Sequence, residues 1–187
     1  MRVFVAIDVP DDVRRALGDL IARLEKTCRG ARWMHTEAMH ITLKFIGEVN
    51  EETVKRIRNA MAGVRAAGPI EIHFRGTGFF PNASHPRVFW AGIEAPPTLA
   101  ELAADIEQSL EPLGIPREDR AFKPHLTLAR FKSEEGLPNL RETLEQLGPS
   151  EFGATIARSF HLYQSVLKAA GAEHTRIASF AFAEGGA

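Results

Sequence analysis

One short pattern occurs twice in this sequence, once in each half of the chain. It reads His-Ile-Thr-Leu at residues 40–43 and His-Leu-Thr-Leu at residues 125–128. Polar and apolar side chains alternate in both copies, which is typical of a β-strand with one buried face. The histidine and the threonine then share one face of each strand. Two such strands side by side would line a single cleft with two imidazoles and two hydroxyls.

The rest of the apolar pattern predicts an α+β fold of two similar lobes flanking this cleft. Helical patterns begin near residues 11, 50, 97 and 137, and strand-like segments are expected at 3–9, 40–47, 70–75, 88–93, 125–131, 154–163 and 175–182. Several of these strands follow one another without a helix between them, which favours antiparallel or mixed sheets over a doubly wound parallel sheet.

Three local expectations accompany this pattern. Asp11 or Asp12 is predicted to cap the first helix. Residues 76–87 contain two Gly, two Pro, Asn and Ser, and are therefore predicted to form a loop. Residues 184–187 are expected to be a loose tail.

Composition narrows the class of protein. The chain has 187 residues, 44% of them hydrophobic and 25% charged, so we expect residues 1–187 to form one domain of two intertwined lobes. A net charge of −1 argues against a broad basic face for duplex nucleic acid, although a small basic cleft is still possible. The single cysteine, Cys28, cannot form an intrachain disulfide and fits a reducing compartment. No segment has the pattern of a signal peptide or membrane span, so we expect a cytoplasmic monomer that does not bind membranes.

The paired histidines, His40 and His125, suit the cleavage of a phosphodiester. Histidine titrates near neutrality and can act as either the base or the acid of such a reaction. The negative charge of the transition state needs donors and cations. Thr42 and Thr127 are expected to supply hydroxyl donors. Lys44 and Arg130, which follow the two motifs, are expected to supply the positive charge, and these four residues are the predicted phosphate-binding set.

Two other interpretations of the pattern remain open at this stage. The repeat could be the remnant of a duplication that kept only a packing pattern. The two histidines could also hold zinc with a third ligand, but neither copy has the His-Glu-x-x-His spacing, and His35 lies on the opposite face of a strand from His40. There is no Gly-x-Ser-x-Gly elbow and no Gly-rich phosphate loop ending in Lys. We therefore expect neither a metal nor a cofactor.

With these motifs the sequence resembles the two-histidine (2H) phosphoesterases, and within them the RNA 2′,3′-cyclic phosphodiesterases, also called 2′-5′ RNA ligase-like proteins. The resemblance covers nearly the whole chain: the opening strand 3–8, the segments 39–47 and 122–130, and Leu-Tyr-Gln-Ser at 162–165. It implies two lobes that each supply one His-x-Thr strand. It also implies metal-independent hydrolysis of RNA 2′,3′-cyclic phosphate ends to 2′-phosphomonoesters, with His40 as the acid, His125 as the base and weak reverse ligation.

The sequence departs from the family pattern at two places. The family often has Arg after Leu-Tyr-x-Ser, where this chain has Val166, and an aromatic residue where this chain has His174. These departures bear on substrate choice. Phe122 is a candidate for stacking on a base, whereas Phe45 and Phe131 are expected in the core.

Two further functions stay open from the sequence. The same histidines could act on a small cyclic nucleotide, an ADP-ribose cyclic phosphate or a 2′-5′ oligoadenylate. Alternatively, the chain could be an RNA-end-binding module without catalysis, although binding alone needs no pair of imidazoles that titrate near neutrality.

Overall fold

A computed structural model describes residues 1–184 and confirms the α+β class. The four helices begin close to the predicted positions. They are α1 (Asp11–Leu24), α2 (Glu51–Ala62), α3 (Pro97–Leu110) and α4 (Leu137–Leu147). The strands are β1 (Arg2–Asp8), β2 (Ala31–Trp33), β3 (His40–Glu48), β4 (Ala67–Gly68), β5 (Ile70–Phe80), β6 (Val88–Glu94), β7 (His125–Phe131), β8 (Glu151–Ala157), β9 (Ser159–Lys168), β10 (Gly171–Ala181) and β11 (Ala183–Glu184).

Two antiparallel sheets form the two lobes. The first sheet has the strand order β10-β9-β1-β3, and the second has the order β2-β7-β6-β5-β8. Each sheet therefore contains one motif strand, β3 in the first and β7 in the second. A minor parallel pair, β11 with β4, lies outside both sheets.

The central strand β1 is buried on both faces, which explains its unbroken apolar sequence. Val3, Val5 and Ile7 point into the main core, which also receives the apolar faces of the helices. Phe4 and Ala6 point the other way and form a small separate cluster with Tyr163. This second cluster is important because it lies on the same face of the sheet as the first motif histidine.

The helix ends follow local chemistry, with one correction. The Asn50 side chain accepts a hydrogen bond from the Thr53 amide at 2.8 Å, so α2 begins with a side-chain cap. The predicted cap of α1 is wrong, because Pro10 occupies the cap position and no side chain bonds there. Asp11 and Asp12 instead lie in the first turn, where their charges favour the positive end of the helix dipole.

Three strand boundaries differ from the expectation. Residues 76–80, predicted as loop, continue strand β5, and Gly76 provides the positive φ of 75° at an irregularity in its pairing. The predicted strand 154–163 is two strands that end and begin around Arg158 and belong to different sheets. Of the predicted loose tail, Glu184 pairs with Gly68, and residues 185–187 lie outside the described residues.

Within residues 1–184, no helix is both long and apolar enough to cross a membrane.

Candidate active site

The two motif strands have the same local shape as well as the same sequence pattern. In β3, Val5 pairs with Lys44 and Ala6 pairs with Thr42, so Leu43 is an extra residue in the ladder. In β7 the pairing skips Leu128 in the same way. An extra residue of this kind is a β-bulge, and the side chains that follow it point to the opposite face of the sheet from the one that regular alternation predicts. Cα atoms of the two strands approach within 8 Å of each other, although the strands belong to different sheets.

The bulge overturns the prediction for Lys44. A regular strand would put Lys44 on the same face as His40 and Thr42, whereas the extra residue turns it into the core, where it is 6% exposed. Its Nζ lies 2.7 Å from Glu107 Oε1 and donates to the Pro116 carbonyl at 2.8 Å. Lys44 is thus an internal ion-pair partner that links β3 to α3, and its predicted contact with phosphate is wrong.

The same turn brings Phe45 out of the core, so that the expected burial of Phe45 is also wrong. The Phe45 side chain is 61% exposed and packs against Phe4 at a ring-centroid distance of 5.7 Å. Arg130 occupies the equivalent position after the second bulge and is exposed as well. Of the two cations predicted to face the phosphate, only Arg130 extends from a motif strand into solvent.

Both motif histidines are oriented by the same backbone contact. His40 Nδ1 lies 3.3 Å from the Ala38 carbonyl, and His125 Nδ1 lies 2.9 Å from the Lys123 carbonyl. A carbonyl only accepts, so each contact favours the tautomer with the proton on Nδ1. In that tautomer Nε2 has a free lone pair, and it becomes the atom that takes up or gives a proton. The sequence pattern contains no signal for this anchoring, because the acceptor is backbone.

His40 is surrounded by aromatic rings. Its ring centroid is 4.4 Å from that of Tyr163, 5.1 Å from that of His174 and 5.8 Å from that of Phe4. His174 Nδ1 also lies 3.3 Å from His40 Nδ1, so His174 and the Ala38 carbonyl compete for the same proton. Burial, followed by the charge of His174, lowers the pKa of His40 to about 4. The position that the sequence marks as a departure from the family pattern is therefore in direct contact with a motif histidine.

Arg14 stabilises the approach to this histidine. Its guanidinium donates to the carbonyls of Val9, Glu37 and Met39 at 3.0, 3.2 and 3.1 Å, which ties helix α1 to the segment before His40. Its positive charge contributes to lowering the pKa of His40. In the sequence Arg14 is one polar residue of an amphipathic helix, and nothing there indicates this role.

A second polar network begins at Asp8, the strand partner of His40. The Asp8 carboxylate accepts hydrogen bonds from the Tyr163 hydroxyl and the Arg176 guanidinium, and it lies 3.4 Å from His161 Nε2. The Arg176 guanidinium carbon is 5.9 Å from the centre of the Tyr163 ring. A cation is thus present beside Tyr163 even though the chain has Val166 in the following segment. These contacts join residues far apart in the sequence, so sequence spacing could not predict them.

The remaining predicted residues lie as follows. Thr42 and Thr127 are half-buried, and Thr127 pairs with Trp90 of the neighbouring strand. Trp90 requires Gly78 across the sheet, because a Cβ there would lie 2.1 Å from the indole ring. Phe122 is partly buried against the main core, and its role in stacking stays a prediction. His125 is exposed, in contrast to His40.

No three His, Cys, Asp or Glu side chains in residues 1–184 are grouped closely enough to hold a metal ion. What the site does bring together is a pair of bulged strands, each beginning with a histidine whose Nδ1 faces a carbonyl. With the two-sheet fold, these features define a two-histidine phosphoesterase.

Comparison with known proteins agrees with this class. The family model of the LigT-like phosphoesterases matches residues 7–90 and 93–172, and the chain belongs to that family. A relative from Archaeoglobus fulgidus, named RNA 2′,3′-cyclic phosphodiesterase, is 37% identical over 91% of this chain and 94% of its own length. One from Thermus thermophilus with the same name is 35% identical over 96% and 89%.

Solved structures share the fold. A crystal structure of a Thermus thermophilus protein superposes with a TM-score of 0.79 at 33% identity and covers 97% of this chain and 98% of the other. Escherichia coli LigT, crystallised with 3′-AMP, has a TM-score of 0.79 at 24% identity and 98% coverage of both chains, which is a likeness of fold.

Proposed function

We propose that this chain is an RNA 2′,3′-cyclic phosphodiesterase, which opens cyclic phosphate ends of RNA to 2′-phosphomonoesters. The observation that carries the proposal is the pair of equivalent imidazoles, His40 and His125, each held at Nδ1 by a carbonyl two residues earlier. A purely structural duplication needs the apolar faces of the strands, but it does not need two histidines with free Nε2 atoms. The shared name of the relatives supports the choice of substrate.

In this mechanism a water molecule attacks the phosphorus atom and gives its proton to His125 Nε2. The bond between phosphorus and the 3′ oxygen breaks, and that oxygen takes a proton from His40 Nε2. The product retains the phosphate on the 2′ oxygen. His125 is then protonated and His40 is neutral, so exchange with solvent restores the starting state. Each positioned proton transfer contributes about 10²–10⁴-fold to the rate.

To act as the acid, His40 must be protonated. The protein without substrate disfavours the protonated imidazole, because the pKa of His40 is lowered to about 4. Bound substrate raises the pKa of His40 again, because a cyclic phosphate has one negative charge and an anion beside an imidazole raises the pKa of that imidazole. Binding of substrate should therefore be accompanied by uptake of a proton. Thr42, Thr127 and Arg130 are the proposed phosphate contacts.

The direct test uses an RNA oligomer that ends in a 2′,3′-cyclic phosphate. We expect the enzyme to produce a 2′-phosphomonoester, identified by ³¹P NMR and by comparison with synthetic 2′- and 3′-phosphate standards. The His40→Asn and His125→Asn variants are matched controls of similar polarity. A 3′-phosphate product, or equal turnover by all three proteins, would contradict the proposal. The expected monomeric state and cytoplasmic location remain predictions from the sequence.

A further inference from the structure

The face of the second sheet that carries His125 also carries a row of four side chains farther along the strands. In this row Arg32 of β2 pairs with Arg130 of β7, Arg130 pairs with Val88 of β6, and Val88 pairs with Phe80 of β5. Residues that pair directly across a ladder share a face of the sheet. The bulge in β7 brings Arg130, and with it the whole row, onto the face of His125.

The two arginines of the row have no carboxylate partner. Arg32 and Arg130 are both exposed, and within residues 1–184 neither side chain forms a salt bridge. Like charges directly opposite each other on neighbouring strands destabilise a sheet. An anion bound between the two guanidinium groups removes this repulsion, and phosphate is an anion whose geometry suits arginine.

The other end of the row presents an aromatic ring. Phe80 is 56% exposed, although phenylalanine is among the residue types most often buried. The preceding residue, Phe79, packs against the core residue Phe89 at a ring-centroid distance of 5.1 Å, so Phe80 points to the opposite face. Arg130 and Phe80 are two strand spacings apart, about 10 Å, which is comparable to the distance between the phosphate and the base of one nucleotide. Exposed rings beside cations are the combination that binds single-stranded nucleic acid.

The row lies farther from the motif histidine than one nucleotide extends. In β6, Gly92 pairs with His125, and Val88 lies four residues earlier. Four residues of a strand span about 13 Å, which is longer than the step from one phosphate to the next in RNA. A cyclic phosphate beside His125 therefore leaves the row free for nucleotides that precede the terminal one.

The opposite end of the same face is acidic. Glu94 lies in β6 on the other side of His125 from the row, and it shares Arg75 with Glu151, at 3.3 and 3.5 Å. One arginine between two carboxylates leaves an excess of negative charge at this end, which repels phosphate. The charges thus favour one direction for an RNA strand, from His125 towards Arg32.

We propose that Arg32 and Phe80 bind the RNA strand on the 5′ side of its cyclic phosphate, an inference that rests on the proposed function of the cleft. An upstream phosphate lies between Arg32 and Arg130, and the base of the same nucleotide extends across Val88 onto Phe80. Phosphate contacts and base stacking do not read sequence. The row therefore favours RNA chains over cyclic mononucleotides without selecting particular bases.

The first test compares a long and a short substrate. A tetra-adenylate RNA that ends in a 2′,3′-cyclic phosphate can reach the row, whereas adenosine 2′,3′-cyclic phosphate cannot. Phe80→Ala should lower kcat/KM on the tetramer by about 5- to 150-fold, the range expected for one base–aromatic stack, and leave kcat/KM on the mononucleotide nearly unchanged. The matched control Ile156→Ala removes an equally exposed apolar side chain from β8 of the same sheet and should affect neither substrate.

The second test measures the phosphate contact without catalysis. Fluorescence anisotropy gives the affinity for a 5′-labelled tetramer that ends in a 2′-phosphomonoester at several salt concentrations. Each neutralised phosphate of a single strand contributes about 0.7 to the slope of log affinity against log salt concentration. Arg32→Gln should therefore reduce this slope by about 0.7, whereas Arg58→Gln, which removes an exposed arginine from α2, should leave the slope unchanged.

Equal losses of kcat/KM on both substrates in Phe80→Ala, or no loss on either, would overturn the proposal. A salt slope that Arg32→Gln leaves unchanged would also overturn it. A wild-type protein that hydrolyses neither substrate would refute the proposed function instead, and the salt slope would then still decide whether the row binds RNA.

Discussion

The contact between His40 and His174 makes a quantitative prediction about the acid–base properties of the site. His174→Phe replaces the second imidazole by a ring of similar size, which keeps most of the burial around His40 and removes the neighbouring charge. The two ring centroids are 5.1 Å apart. For an effective dielectric constant between about 20 and 80, two unit charges at this distance repel each other by about 0.8 to 3.3 kcal/mol. The pKa of His40 should therefore rise by about 0.6 to 2.4.

Titration of the histidine ring protons by NMR measures this change in the protein without substrate. In the wild-type protein the pKa of His40 should be about 4, and in His174→Phe it should move upward toward its ordinary value of 6.5. Arg14, which lowers the pKa of both imidazoles, and Asp8, which raises that of His40, are present in both proteins. His85→Phe is the matched control, because it removes a surface histidine whose Nδ1 contacts Glu134. A pKa of His40 that is the same in the two folded proteins would refute the reasoning.

The His174→Phe variant also tests whether His40 acts as the acid or as the base. If His40 is the acid, each unit increase in its pKa makes about ten times more free enzyme correctly protonated at neutral pH. The kcat/KM at pH 7 should then increase in His174→Phe, less than in full proportion because a weaker acid donates less readily. If His40 is the base, it is already neutral at pH 7, and no such increase in correctly protonated enzyme occurs. An unchanged kcat/KM would therefore reverse the proposed assignment of acid and base.

Three further predictions concern the histidine pair, metals and Lys44. His40→Ala and His125→Ala should each lower kcat by about 10²–10⁴-fold. The double variant should lose much less than the product of the two single losses. A substrate with a better leaving group should restore kcat in His40→Ala and not in His125→Ala. Turnover should survive EDTA, and a loss restored by zinc or manganese would contradict the metal-free mechanism. Lys44→Met should lower the free energy of unfolding by about 3–5 kcal/mol, because it leaves Glu107 as an unpaired, mostly buried charge. Urea denaturation should show recovery in Lys44→Met/Glu107→Leu, and a raised KM with unchanged stability would restore Lys44 to the phosphate site.

Much of the fold follows from the sequence because its signals are local. The predicted strand 125–131 and the predicted helix 137–147 have the bounds seen in the structure, since apolar periodicity marks both elements and a Gly residue flanks each end of the helix. The equivalence of the two motif strands could also be predicted from their repeated pattern. The prediction of a single strand at 154–163 is wrong because the apolar residues continue on both sides of Arg158. Only the tertiary structure shows that the two halves join different sheets.

The candidate site was less predictable because its details depend on one extra residue in a ladder and on distant partners. Alternation assigns Lys44 to the cleft and Phe45 to the core, and the bulge at Leu43 reverses both assignments. His174 could be singled out in the sequence only as an unusual residue, and its contact with His40 requires β10 to be placed in the first sheet. Asp8 and Arg14 act through contacts that leave no pattern in the sequence.

The order of strands in the first sheet has a consequence for synthesis of the protein. Strands β1 and β3 are made early, whereas β9 and β10, which complete the sheet and bring Tyr163 and His174 to His40, are made last. A nascent chain whose strand β7 has just emerged from the ribosome contains both motif histidines but only half of the first sheet. Such a chain exposes one edge of β1 and the rings of Phe4 and His40, so it is open to wrong strand pairing. Competence for catalysis should therefore arise in one late step, when the final hairpin docks against β1.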